Sequence, residues 1–260
     1  MTCTPPGMVE VPAGAFVRGS PVWGDEGAVA EVYLDRFFID KTEVTVADYA
    51  RCVDAGSCAP SDDAPGCNRT NMGQDDHPTN CVSWSQANTY CRWVDDSTKE
   101  LPTEAQWEKA ARGTDARMYP WGDLTAPSCD YAVMDDPMAG GPGCGTGGTM
   151  VVGNMPAGVS VYGALDMTGN VAEWVGDWYA RQYSRVDDRN PTGPSSGDER
   201  VTRGGSWNLS KPPELPQEEK EGEWSLRVTY RRQESPELRS PEVGFRCATT
   251  VPLLVSMDEG

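Results

Sequence analysis

The chain has 260 residues, long enough to bury one sizeable core, and its 40 acidic against 22 basic side chains give a net charge of −18. That field repels phosphate backbones and anionic lipid, which excludes nucleic acid as a partner. Nine Trp and nine Tyr argue against wholesale disorder, while 28 Gly and 21 Pro exclude a helical bundle or a doubly wound sheet.

In chain order, residues 8–11 alternate apolar and polar, 14–18 follow after a turn, and 32–39 form a longer aromatic and β-branched run, so all three predict strands. Thr45 opens a helix with Asp48 at its third position, an apolar face of Val46, Tyr49, Ala50 and Val53, and Gly56 as its stop. Ser83 and Gln86 form the capping box of a second helix, whose Trp84, Ala87, Cys91 and Val94 share a face. Thr103 and Gln106 do the same for a third, which runs through Trp107, Ala110 and Ala111 to Gly113. Beyond it no helical pattern returns before Cys247. Short apolar pieces at 151–153, 159–165, 171–179, 201–207, 226–230 and 243–248 alternate with glycines. Two or three helices among short strands and long ordered loops predict an α+β domain with little regular structure. Neither an internal repeat nor a composition break marks a second domain.

No run approaches the roughly 18 apolar residues of a membrane helix. The nine cysteines contain no CxxC pair, and a single histidine, His77, cannot complete a zinc set at finger spacing. Disulfides are the better use, which predicts an oxidising, extracytoplasmic compartment reached through a leader ahead of residue 1. The odd count leaves Cys3 over, before Pro5-Pro6-Gly7, either as a lipid-anchored cysteine or as a plain terminal thiol. Triad chemistry needs a base near neutral pKa, and His77 alone could supply it. The adjacent carboxylates Asp95-Asp96 and Asp135-Asp136 read as solvated surface. The run 140–145 lacks the lysine and Ser/Thr ending of a phosphate loop, so no nucleotide is implied.

Eight short motifs come in one order: Met8-Val9-Glu10-Val11-Pro12-Ala13-Gly14; Lys41-Thr42-Glu43-Val44-Thr45; His77-Pro78 with Val82-Ser83-Trp84; Leu101-Pro102-Thr103-Glu104-Ala105-Gln106-Trp107-Glu108; Tyr119-Pro120-Trp121-Gly122; Tyr162-Gly163 with Asp166-Met167-Thr168-Gly169-Asn170-Val171-Ala172-Glu173-Trp174; Arg203-Gly204-Gly205-Ser206-Trp207; and Gly244-Phe245-Arg246-Cys247. The chain thereby resembles the sulfatase-modifying factor family, the formylglycine-generating enzyme fold, from about residue 7 to 248. The resemblance implies one compact α+β domain at 7–248, related to C-type lectin folds, with 1–6 as linker and 249–260 as tail.

The copper-dependent oxidases of that family carry two cysteines a few residues beyond the Gly-Gly-Ser-aromatic motif. This chain has no cysteine between Cys144 and Cys247, and carboxylates cannot replace the soft thiolates that select Cu(I). Copper is therefore not expected, nor haem, nor the histidine-rich iron site of the sulfoxide synthases. The resemblance also implies a structural calcium ion held by the Asp166 side chain, the Gly169 and Val171 carbonyls and the Glu173 carboxylate, and a second with Asp130 and the Tyr131 carbonyl. The alternative is that Glu173 pairs with Arg203 or Arg246 in a merely hydrogen-bonded turn. It further implies a Cys91–Cys247 bridge; Cys52 with Cys58 and Cys129 with Cys144 are local pairings that leave Cys67 with Cys81, among 105 arrangements open to eight cysteines.

Two function classes follow. The first is a non-catalytic binding or scaffold protein that holds a protein or peptide partner in the family's groove. Trp207 and Trp224 would serve as anchors, and Arg227, Arg231 and Arg232 as polar readers. Five glutamates against one internal lysine in 211–223 would favour a basic or calcium-bridged partner. The second is a metal-dependent oxidase whose site the motifs do not display.

Overall fold

The computed structural model describes residues 2–21, 26, 29–183, 188–208, 225–251 and 253–254. Three α-helices occur where the caps predict them. In α1 (Val46–Asp54) the Thr45 hydroxyl accepts from the Asp48 amide at 3.1 Å. Full capping boxes open α2 (Trp84–Trp93) and α3 (Glu104–Arg112): Gln86 Oε1 accepts from the Ser83 amide at 3.0 Å, and Gln106 Oε1 from the Thr103 amide at 2.8 Å. Gly113, in the left-handed region at φ 74°, ends α3. Past it, the helical pieces among the described residues are short 3-10 turns.

The strands are β1 (Thr2–Cys3), β2 (Met8–Val11), β3 (Gly14–Arg18), β4 (Ala30–Leu34), β5 (Phe37–Asp40), β6 (Ala172–Trp178), β7 (Arg200–Arg203), β8 (Arg231–Glu234), β9 (Val243–Phe245), β10 (Ala248–Thr249) and β11 (Leu253–Leu254). They form the sheets β10-β5-β2, β3-β4 and β8-β7-β6-β9, with β6 and β9 parallel, and a two-stranded β1-β11. The run 32–39 is thus two strands rather than one. It breaks at Asp35, which accepts from Asn190 Nδ2 at 2.7 Å and pairs with Arg189, so β4 joins β3 while β5 turns into another sheet. The apolar pieces at 151–153, 159–165 and 226–230 are loop and turn, and the strand beside the last lies one step later, at β8. The expected linker and tail pair with each other, Cys3 opposite Leu253.

Two packed regions flank the four-stranded sheet. Phe16, Phe37, Trp107, Met167, Val175 and Val201 fill one. Tyr49, Tyr90, Trp174 and Phe245 fill the other, with Tyr90 edge-on to Phe245 at 5.5 Å. Disulfides join Cys52–Cys58, Cys67–Cys81, Cys91–Cys247 and Cys129–Cys144, the pairs given by the sequence reading. The third ties α2 to the link between β9 and β10 across 156 residues.

Candidate functional site

Helix α3 turns charged side chains inward. Glu104 and Glu108 are buried, and sheet arginines meet them: Arg231 grips Glu104 from Nε at 2.7 Å and Nη2 at 2.6 Å, and Arg203 reaches Glu108 Oε2 at 2.7 Å. Burial alone would raise the Glu104 carboxyl, but Arg231 and Arg203 outweigh it and hold it below its ordinary value. Asp177 at the end of β6 has the opposite balance. Burial, then the neighbouring Glu104, push it up to about 7, although its Oδ2 accepts from the Glu104 amide at 2.7 Å.

A second ionic centre lies where β5, β6 and β9 converge. The Arg246 guanidinium, fully buried, donates to Glu173 Oε2 and Oε1 at 2.7 Å each and to the carbonyls of Asp40, Lys41, Leu165 and Asp166 at 2.9 to 3.3 Å. Trp107 Nε1 adds a bond to Glu173 Oε2 at 2.8 Å. The sequence alternative for Glu173, an arginine partner, is therefore present. Glu43, which the sequence reading quoted only as part of a motif, is the carboxyl that joins Asp166. Its Oε1 accepts from Asn170 Nδ2 at 3.1 Å, and its buried Oε2 has no hydrogen-bond partner. Burial raises both carboxyls, and each is felt by the other and by Arg246. Two carboxyls facing each other away from water require a proton or a cation between them.

The calcium ligands implied by resemblance can be tested against this geometry. Glu173 does not fit, because both its oxygens are committed to Arg246. Asp166, whose Oδ2 accepts from the Gly153 amide and whose carboxyl shares a side-chain hydrogen bond with Glu43, and the Glu43 carboxyl itself offer oxygens that fit a hard cation or a shared proton. Of the second implied pair, Asp130 is exposed, and the Tyr131 carbonyl packs on Gly158 so closely that a Cβ there would lie 1.9 Å from it. No group of three His, Cys, Asp or Glu side chains among the described residues is arranged to hold a metal.

Beside Trp207 lies a cavity of about 480 Å³ lined by Asn68, Asn71, Gln74, His77, Thr149 and Asn154, among others. The Arg-Gly-Gly-Ser-Trp turn shapes its edge. Gly204 and Gly205 are left-handed at φ 93° and 68°, and a Cβ on Gly205 would meet the Ser225 carbonyl at 2.5 Å. Trp207, which lines the cavity, donates from Nε1 to the Pro241 carbonyl at 3.1 Å. Ser206 Oγ and Asn208 Nδ2 both bond Glu242. His77 Nδ1 sits 2.9 Å from Thr149 Oγ1, and burial lowers its pKa, so the imidazole is neutral at pH 7.

The three arginines expected as readers are not gathered at this groove. Arg227 is buried against Glu26 at 2.5 Å and Arg231 against Glu104, while the half-buried Arg232 pairs with Glu234 at 2.6 Å; neighbouring acids took the cations that an acidic sequence seemed to leave for a partner. Trp224 and 211–223 lie outside the described residues.

Against known proteins, the profile of the sulfatase-modifying factor enzyme 1-like domain matches residues 1–251. The formylglycine-generating enzyme of Streptomyces coelicolor is 33% identical over 299 residues, covering 95% of this chain and 90% of that protein. An inactive C-alpha-formylglycine-generating enzyme 2 of Bos taurus is 34% identical over 170 residues, 65% of this chain and 48% of that protein. The solved structure of PvdO from Pseudomonas aeruginosa superposes with a TM-score of 0.75 at 26% identity, covering 94% of each chain.

Proposed function

Because the chain belongs to the sulfatase-modifying factor family and yet has no cysteine between Cys144 and Cys247, we propose that it is a non-catalytic, extracytoplasmic binding protein that receives an extended peptide in the groove beside Trp207. The observation that carries this reading is the chemistry of the groove. It adjoins the Gly-Gly-Ser-aromatic turn after which the oxidases carry their thiolates. Its lining offers amides, hydroxyls, an imidazole, the Met150 thioether and an indole, which suit peptide hydrogen bonding and side-chain packing but supply none of the thiolates that hold copper in the oxidases. Four disulfides support an oxidising compartment, and no helix among the described residues is long and apolar enough to cross a membrane. The acidic composition of 211–223 supports a basic partner.

Calcium belongs to this proposal as a stabiliser. Glu43 and Asp166 would hold it, where it would supply the positive charge that the facing carboxyls lack. No reaction step is assigned to it.

The test pans a displayed peptide library on the purified, disulfide-bonded protein. Enriched peptides should bind the wild type and lose at least about tenfold in affinity on Trp207→Ala, the cost of an aromatic anchor. Metal analysis and oxygen uptake on a cysteine-containing peptide address the oxidase alternative: stoichiometric copper or iron together with turnover would overturn the binding assignment.

A further inference from the structure

A second cavity, of about 490 Å³, lies between β3, the start of α3, the end of β6 and β8, and shares no lining residue with the groove beside Trp207. Arg18, Glu104, Asp177, Trp178, Tyr183 and Arg231 line it, with Pro191 and Pro194. Arg18 is the anomaly. It is 5% exposed, the Tyr183 ring covers one face of its guanidinium at 3.9 Å, and its Nε has no hydrogen-bond partner. No ion pair among the described residues engages it, whereas the arginines around it are all taken. Arg112 holds Glu108, Arg203 spans Glu104 and Glu108, and Arg231 holds Glu104.

The charge count is local and uneven. Four arginines, Arg18, Arg112, Arg203 and Arg231, face three carboxyls, Glu104, Glu108 and Asp177, and Asp177 keeps its proton up to about pH 7. Among the described residues a surplus of one to two positive charges is thus enclosed, in a protein whose net charge is −18. Glu104 and Asp177 feel the Arg18 charge but make no ion pair with it, and a guanidinium enclosed without a contacting anion among the described residues is costly, so that an anion entering the cavity relieves it.

We propose that this cavity binds a small organic carboxylate, gripped by the Arg18 guanidinium, with its apolar body against Trp178, Tyr183 and the two prolines. The planar fork matches a planar carboxylate. A phosphate dianion would set two negative charges beside Glu104 and Asp177, while the aromatic and proline lining would go unused. The volume is of the order of ordinary small-ligand sites, roughly 300 to 1,000 Å³.

Benzoate titrated into the full chain, with benzamide as its uncharged analogue and inorganic phosphate as the competing anion, decides the matter by calorimetry and thermal shift. Benzoate should bind saturably and raise the melting temperature, and benzamide and phosphate should not. Arg18→Gln should weaken benzoate at least about tenfold, as loss of a charge-assisted pair implies, while Trp207→Ala leaves it unchanged. Arg18→Lys keeps the charge without the fork and should bind several-fold more weakly than wild type, which covers the case of a glutamine variant that fails to fold. No saturable benzoate binding by the wild type, equal binding of benzamide, preference for phosphate, or Arg18 variants that bind as the wild type does would overturn the proposal. Trp207→Ala losing benzoate would also overturn it, by placing the ligand in the other groove.

Discussion

Removing Arg246 should destabilise the protein more than removing its partner Glu173, although the two share one ion pair. Arg246 is fully buried and faces three carboxyls, Glu173, Glu43 and Asp166, which together hold its pKa above the ordinary value against the opposing effect of burial. Arg246→Met leaves those carboxyls without it and strips donors from four backbone carbonyls. Breaking a buried pair in this way costs about 3 to 5 kcal/mol. In Glu173→Gln the guanidinium still faces Glu43 and Asp166, and the amide oxygen can still accept from Trp107 Nε1 or Arg246. The loss is then about 1.5 to 3 kcal/mol, that of charge-assisted bonds. At roughly 2 to 4 °C per kcal/mol for a chain of this size, Arg246→Met should melt about 10 °C below wild type and Glu173→Gln about half as far below it. Arg246→Lys should fall between them, keeping charge and losing the six-acceptor geometry. Urea denaturation at pH 7 of the three variants, disulfides intact, checks the order. A Glu173→Gln loss equal to or greater than that of Arg246→Met would show that the surrounding carboxyls are not sensed, and the charge argument would fail.

Replacing both Cys91 and Cys247 by serine opens a closure of 156 residues, so chain entropy predicts a loss of about 5 kcal/mol, read from the urea midpoint; a loss under about 1 kcal/mol would contradict the loop-closure account. Asp177 binds a proton up to about pH 7 in the folded state and only to about its ordinary 3.8 when unfolded, so its contribution to stability falls as pH rises between those values. Asp177→Asn should remove that slope, at most about 1.4 kcal/mol per pH unit, and unfolding midpoints at four pH values from 4.5 to 7.5 would expose a slope that persists. EDTA should lower the melting temperature and excess Ca²⁺ restore it, and Glu43→Gln with Asp166→Asn should abolish that response; an EDTA response that survives the double variant would place the ion elsewhere. Ser83→Ala removes one half of a capping box and should cost about 1 kcal/mol in the same assay.

The sequence by itself determined what is local. Thr45, Ser83 and Thr103 mark helix starts because a cap is a contact between a side chain and an amide three residues on, and Gly113 marks a stop because one residue must go left-handed. The family and its fold were legible in eight ordered motifs, and the absence of a cysteine pair past Trp207 was legible by reading alone. Tertiary structure decided the partners of the charges. Glu173 could have faced a metal, Arg203 or Arg246, and only the parallel pairing of β6 with β9 sets Glu173 beside Gly244 and so within reach of Arg246. Arg227 and Arg231 looked free for a ligand because an acidic chain offers no sign of which carboxylates are buried opposite them. Arg18 carried no signal at all, since its singularity is the lack of an ion pair among the described residues, inside a cavity built from five separate stretches of chain. Local rules reach three or four residues along the chain, whereas burial and charge pairing depend on residues up to 206 positions apart, as between Asp40 and Arg246.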